Sequence, residues 1–180
     1  DGEAHYSLGS ILKDLGRLEE ARQSYEQTIK LKPDLAEAYS NLGITLQQLG
    51  RLEEAETSYE KTIELKPTYE QAYNSLGNIL KEKEDWKGSI EAFENAIKIN
   101  NSYADAMLNL AGVLFKSGDI SGSQAKYEEI IIIFENLSEA HAGLGVVLLG
   151  AGRLQKAIES FKKAVANKPT LGMAQYNLAS

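Results

Sequence analysis

The sequence predicts an all-α fold, a tandem array of two-helix hairpins. Three observations carry that prediction: a 34-residue internal period, a fixed pattern of leucine, small and aromatic positions inside each period, and glycine or proline where helices should stop. Pro33 and Pro67 stand 34 residues apart, and Pro169 lies three further periods on. Gly9, Gly43, Gly77, Ala111 and Gly145 share that period. Each is preceded by Leu8, Leu42, Leu76, Leu110 or Leu144, and each is followed three residues later by Leu12, Leu46, Leu80, Leu114 or Leu148. An aromatic recurs at Tyr25, Tyr59, Phe93, Tyr127 and Phe161, with Ala21, Ala55, Ser89, Ser123 and Ala157 four residues before it.

Each position has a physical reading. The leucines around the small residue mark one face of a first helix. A small side chain lets a second helix approach closely, and the aromatic on the same face of that helix fills the volume beyond. Gly16, Gly50, Gly118 and Gly152 end the first helices, because glycine takes the left-handed conformation that satisfies terminal carbonyls. Proline marks the end of a second helix, which it cannot continue. Glu84 stands where the third unit should have its turn glycine, and Asn101 and Glu135 replace proline in units three and four. Looser or differently angled junctions are expected there.

Helical hairpins of 34 residues with Leu-Gly, Ala, aromatic and Pro in register resemble the tetratricopeptide repeat family. The resemblance implies a right-handed superhelical solenoid with a concave wall of first helices. Five units follow, at 2–35, 36–69, 70–103, 104–137 and 138–171. Residues 172–180 begin a truncated sixth, where Asn177-Leu178-Ala179 repeats Asn109-Leu110-Ala111, so the chain reads as a fragment. Stacked units bury one continuous core that a lone hairpin cannot make.

Composition excludes several functions. The net charge is −7 without a compensating basic cluster, which argues against nucleic acid or an anionic membrane as partner. The longest apolar run, 130–134, is far short of the ~20 residues needed to span a bilayer. With no cysteine, disulfides, thiolate catalysis and cysteine-held zinc are excluded, and a reducing, cytoplasmic location is expected. His5 and His141 share the repeat position of Tyr39 and Tyr73, a packing site, and lie too far apart for one metal. Gly143 and Gly145 precede no Lys-Ser/Thr and make no phosphate loop. Neither an enzyme nor a cofactor is expected; the expected partner is a protein or peptide.

The resemblance also implies which residues line the groove: the second, fifth, sixth, ninth, twelfth and thirteenth of each first helix. In units one to three these are mostly polar and include Asn41, Asn74 and Asn78; in units four and five they include Leu108, Asn109, Phe115, Val146 and Leu149. The sixth position reads Ser7, Asn41, Ser75, Asn109, Gly143, Asn177. Its Asn-Leu-Gly and Asn-Leu-Ala triplets resemble the repeats of O-GlcNAc-transferase-like proteins, where such asparagines form a ladder. An amide can pair both ways with a peptide backbone, or equally with neighbouring helices and water. The cationic positions of chaperone-tail carboxylate clamps are absent: no lysine or arginine holds a second, fifth or sixth position, and Glu3, Glu37, Asp105 and Glu139 would meet an acidic tail. Hydrogen bonds alone supply too little affinity, so Leu108, Phe115, Val146 and Leu149 are expected to anchor an apolar side chain.

Unit four ends its second helix Ile130-Ile131-Ile132-Ile133-Phe134, with Ile132 and Phe134 at positions held elsewhere mainly by lysine. An exposed apolar patch is expected there, fit for self-association or docking. The sequence thus leaves three functions open: a peptide- or protein-binding scaffold, a self-assembly module using the apolar C-terminal units, and the substrate-recognition arm of a larger enzyme such as a glycosyltransferase.

Overall fold

A computed structural model of the chain describes residues 1–170 together with Asn177. Among these residues there are ten α-helices and no strand. They are α1 (Gly2–Asp14), α2 (Leu18–Leu31), α3 (Ala36–Gln48), α4 (Leu52–Leu65), α5 (Glu70–Glu82), α6 (Trp86–Ile99), α7 (Ala104–Lys116), α8 (Ile120–Ile133), α9 (Ser138–Gly150) and α10 (Leu154–Asn167). The fold is the all-α solenoid of helical hairpins that the period predicts. The expected sixth first-helix lies outside the described residues except for Asn177, which is helical and half-buried.

The described residues form two compact units that divide within α5, one up to Ile79 and one from Leu80 on. In the first, α1 packs on α2, α2 on α3 and α3 on α4. Its core runs from Leu12, Ala21 and Tyr25 through Leu42, Leu46, Ala55 and Tyr59 to Ala72 and Ile79. In the second, Phe93, Leu110 and Val113 join α6 to α7; Met107, Tyr127, Ile130 and Val147 join α7, α8 and α9; and Leu148, Ala157 and Phe161 join α9 to α10.

Close helix approach explains the repeated glycine. A Cβ on Gly9 would lie 2.8 Å from the Tyr25 ring, one on Gly43 2.8 Å from Tyr59, and one on Gly145 2.6 Å from Phe161. No methyl fits, so the aromatic of the second helix lies directly on the backbone of the first. In unit four the first helix carries Ala111 instead, and Tyr127 leans onto the next first helix, where a Cβ on Gly143 would fall 2.7 Å from its hydroxyl oxygen. Tyr127 remains 9% exposed, while Tyr25, Tyr59, Phe93 and Phe161 are at 0–1%.

The departures from the repeat keep the local turn hydrogen bonds. Gly16, Gly50, Gly118 and Gly152 have φ between 72° and 92°, and Glu84 takes the same left-handed conformation at φ 60°. Its turn makes the standard pair of bonds: Glu84 N–H donates to Lys81 O (3.2 Å) and Asp85 N–H to Leu80 O (2.9 Å), as Gly16 N–H does to Lys13 O and Arg17 N–H to Leu12 O. The proline-free turns behave alike. Tyr103 N–H donates to Asn100 O and Leu137 N–H to Phe134 O, matching Leu35 to Lys32 and Tyr69 to Lys66. Proline suits this turn without being required by it.

Candidate functional site

The first unit presents a polar face on its first helices. Asn41 lies half-buried on α3, and the preceding first helix claims its amide. Its Nδ2 donates to the Tyr6 hydroxyl at 2.8 Å, and Lys13 Nζ donates to its Oδ1 at 3.2 Å. One N–H and one lone pair remain available. Tyr6 is itself fixed, its ring standing edge-on to Tyr25 at 5.9 Å. Burial raises the Tyr6 phenol above its ordinary value, as do the nearby Tyr69 and Glu37. Asn74 and Asn78 are half-buried on α5.

Three of the second-position acids read from the sequence as lining the groove, Glu3, Glu37 and Glu139, form ion pairs within their own hairpins. Lys32 Nζ meets Glu3 at 2.7 Å and Lys66 Nζ meets Glu37 at 2.9 Å; in the second unit Lys168 Nζ meets Glu139 at 2.9 Å. Hydrogen bonding from the lysine holds each of these carboxyls below the ordinary glutamate value. Lys66 also lies 4.9 Å over the Tyr69 ring. The signal was available in the sequence as an acid–lysine spacing of 29 residues in three hairpins.

In the second unit the contact between a lysine and the asparagine of the next first helix recurs, two repeats after Lys13 and Asn41. Lys81 Nζ donates to Asn109 Oδ1 at 3.3 Å and stands 5.9 Å from the centre of the Phe93 ring. Burial lowers the Lys81 ammonium below its ordinary value, and the charge of Lys116 lowers it further. One repeat on, Phe115 stands in lysine's place and Gly143 in asparagine's. Phe115 is half-buried beside the Met107–Tyr127 cluster, its ring close enough to Gly150 that a Cβ there would fall 3.3 Å away. Leu108 packs half-buried on the same cluster, and Val146 on that of Ala142 and Phe161. Leu149 keeps 43% of its surface exposed. Apolar side chains on α7 and α9 are therefore incompletely covered.

The expected Ile132–Phe134 patch needs correction. Ile132 is 84% exposed and Ile133 45%, but Phe134 is half-buried and packs against the cluster of Met107, Tyr127 and Val147. Lysine at Phe134's position in units one, two and five does not mark a site that faces only solvent. Lys32 lays its methylenes along Gly2, where a Cβ would meet Cγ at 3.1 Å, and only its ammonium reaches outward to Glu3. That position joins the end of a second helix to the start of its first, and an aromatic fills it.

His141 is buried, its Nε2 2.9 Å from the Glu135 carbonyl oxygen, and His5 is half-buried. Among the described residues no three His, Asp or Glu side chains gather as metal ligands, and no helix is long and apolar enough to cross a membrane.

Comparison with protein families matches the profile described as TPR repeat to residues 9–50 and 77–118, and those described as tetratricopeptide repeat to 36–69 and 138–171. Comparison with curated proteins gives no match. Among solved structures, the MamA protein is 26% identical with a TM-score of 0.85, over 95% of this chain and 93% of its own. YrrB, described as a TPR protein with an unusual peptide-binding site, is 19% identical with a TM-score of 0.83, over 100% and 93%. A thermophilic TPR protein from Thermus thermophilus is 22% identical with a TM-score of 0.72, over 99% and 97%. The last two show likeness of fold alone.

Proposed function

The chain belongs to the tetratricopeptide repeat family, and from that premise we propose that it is a non-catalytic scaffold holding a peptide or protein segment against its first helices. One observation carries this reading: α7 and α9 place Leu108, Phe115, Val146 and Leu149 partly uncovered at positions that are mainly polar in units one to three. Burying the exposed part of a leucine such as Leu149 is worth about 2 kcal/mol at ~25 cal/mol per Å². Several such contacts offset an association cost of about 4–15 kcal/mol, which a few neutral hydrogen bonds do not. That YrrB is described as having a peptide-binding site agrees in kind.

The asparagines play a smaller part in this proposal. Tyr6 and Lys13 already occupy half of Asn41's hydrogen-bonding capacity, so Asn41 and Asn109 adjust register without clamping a backbone bidentately. The likeness to O-GlcNAc-transferase repeats, and with it a role as the recognition arm of a glycosyltransferase, rests on the Asn-Leu-Gly and Asn-Leu-Ala triplets alone. Self-association is the second reading, favoured by the exposed Ile132.

The test begins with segments selected from a random peptide library on the intact chain, followed by calorimetric titration. Leu149→Asp is expected to weaken binding about 30-fold, the equivalent of about 2 kcal/mol. Asn41→Ala with Asn109→Ala is expected to weaken it only severalfold. Failure to select any segment, or equal affinity for Leu149→Asp and wild type, refutes the reading.

A further inference from the structure

The second helices of unit four and unit five enclose a cleft that the peptide-binding reading does not use. It holds about 320 Å³ between α8 and α10, and α9 supplies its floor through His141, Leu144 and Leu148. Its walls differ in charge. The α8 wall carries Glu128, while the α10 wall carries Lys156 and Lys163, two helical turns apart, with Glu159 between them. Among the described residues neither lysine lies within ion-pair distance of a carboxylate. Ile132 stands on the α8 edge, 84% exposed, above the half-buried Ile131.

The first unit holds a repeat-equivalent cleft as an internal control. It lies between α2 and α4 over α3, with Glu26 in the place of Glu128, Lys61 in that of Lys163 and Leu42 in that of Leu144. Lys30 occupies the place of Ile132. A glutamate on one wall and a lysine on the other are therefore common to both clefts, while Lys30 adds a positive charge to the glutamate wall of the first and a bare isoleucine stands at that place in the second. Folding gains nothing from an isoleucine left in water, and lysine serves at the same register in Lys30 and Lys98.

A surface with a projecting apolar knob, an adjoining apolar hollow, and opposite charges on the two sides of that hollow is complementary to itself. Across a two-fold axis a group on one side of one copy meets the complementary group on the other side of its partner, and the reverse contact forms as well. We propose that the α8–α10 cleft is the self-association surface of this protein, each copy seating Ile132 in the hollow of the other while Glu128 faces Lys163 across the axis. The inference rests on the self-association reading above and assigns it a face, a symmetry and a charge pair.

Sedimentation velocity over a concentration series tests it. Wild type is expected to show a reversible monomer–dimer equilibrium that weakens with salt. Ile132→Lys, which restores the residue found at this register in Lys30 and Lys98, is expected to raise the dimer dissociation constant at least ~10-fold. Glu128→Lys and Lys163→Glu are each expected to weaken the dimer, and the double variant to recover it, because the exchange recreates the pair across the axis. Glu128, Ile132 and Lys163 are all exposed, so circular dichroism and melting should stay unchanged and report intact folding. A dimer indifferent to Ile132→Lys, or one that the charge exchange does not restore, overturns this face while leaving self-association standing. A wild-type chain that stays monomeric throughout overturns both.

Discussion

The glycine at 143 has a packing cause that a pair of substitutions can expose. Ala111 fills the site where Gly9, Gly43 and Gly145 admit an aromatic ring, and Tyr127 lies instead over Gly143. A side chain at 143 and the present Tyr127 position exclude one another. Gly143→Asn, the residue found at 41 and 109, forces the ring aside. Overpacking of that kind costs about 1–3 kcal/mol, against which the better helix propensity of asparagine returns only a few tenths. Ala111→Gly alone costs about 1 kcal/mol in helix propensity. Together they should recover most of the first loss, since a glycine at 111 lets Tyr127 settle as Tyr25 and Tyr59 do. The expected coupling is about 2 kcal/mol, read in a double-mutant cycle as about 4–8 °C in melting temperature for a chain of this size. Additivity to within about 0.5 kcal/mol would show that Ala111 and Gly143 are independent, and the explanation of the glycine at 143 would fall with it.

Two further outcomes follow from the geometry. Glu84 holds a left-handed conformation that costs a side chain about 1–2 kcal/mol, so Glu84→Gly should stabilise by about 0.5–1 kcal/mol after the added freedom of glycine in the unfolded chain. Urea unfolding followed by the fluorescence of Trp86, the one tryptophan and two residues away, reads this locally; no gain refutes the strain. Lys66 and Lys168 lower the pKa of Glu37 and Glu139, so these pairs stabilise the fold above the ordinary glutamate value of 4.5, and that contribution disappears as the pH falls through the lower folded values. Lys66→Met with Lys168→Met should therefore lower stability slightly at neutral pH and not at all in strong acid. A loss that persists undiminished at pH well below 4.5 would show that the lysine stems, not the charges, matter.

The hairpins were legible because close packing leaves its mark at the residues themselves. A first helix with a tyrosine or phenylalanine ring lying on its backbone has no room for a methyl, so glycine recurs at 9, 43 and 145 and the aromatic follows in register at 25, 59 and 161. The functional faces were less legible because repeat register says which way a position points but not which neighbour takes it up. Asn41 has the amide of a peptide ligand's partner, yet Tyr6 and Lys13 of the previous repeat reach it first. Glu37 has the position of a groove acid, yet Lys66 neutralises it from 29 residues away. Lysine is the residue that most confuses such a reading, since its ammonium reports water while its methylenes report a contact. At Lys32 the contact is with Gly2, and substituting an aromatic at the equivalent Phe134 extends that contact. At Ile132 no such contact exists and the side chain stands in solvent. Two apolar residues at lysine's positions, two residues apart on one helix end, thus have opposite surroundings: Phe134 packs against the core of its own unit, and Ile132 stays in solvent.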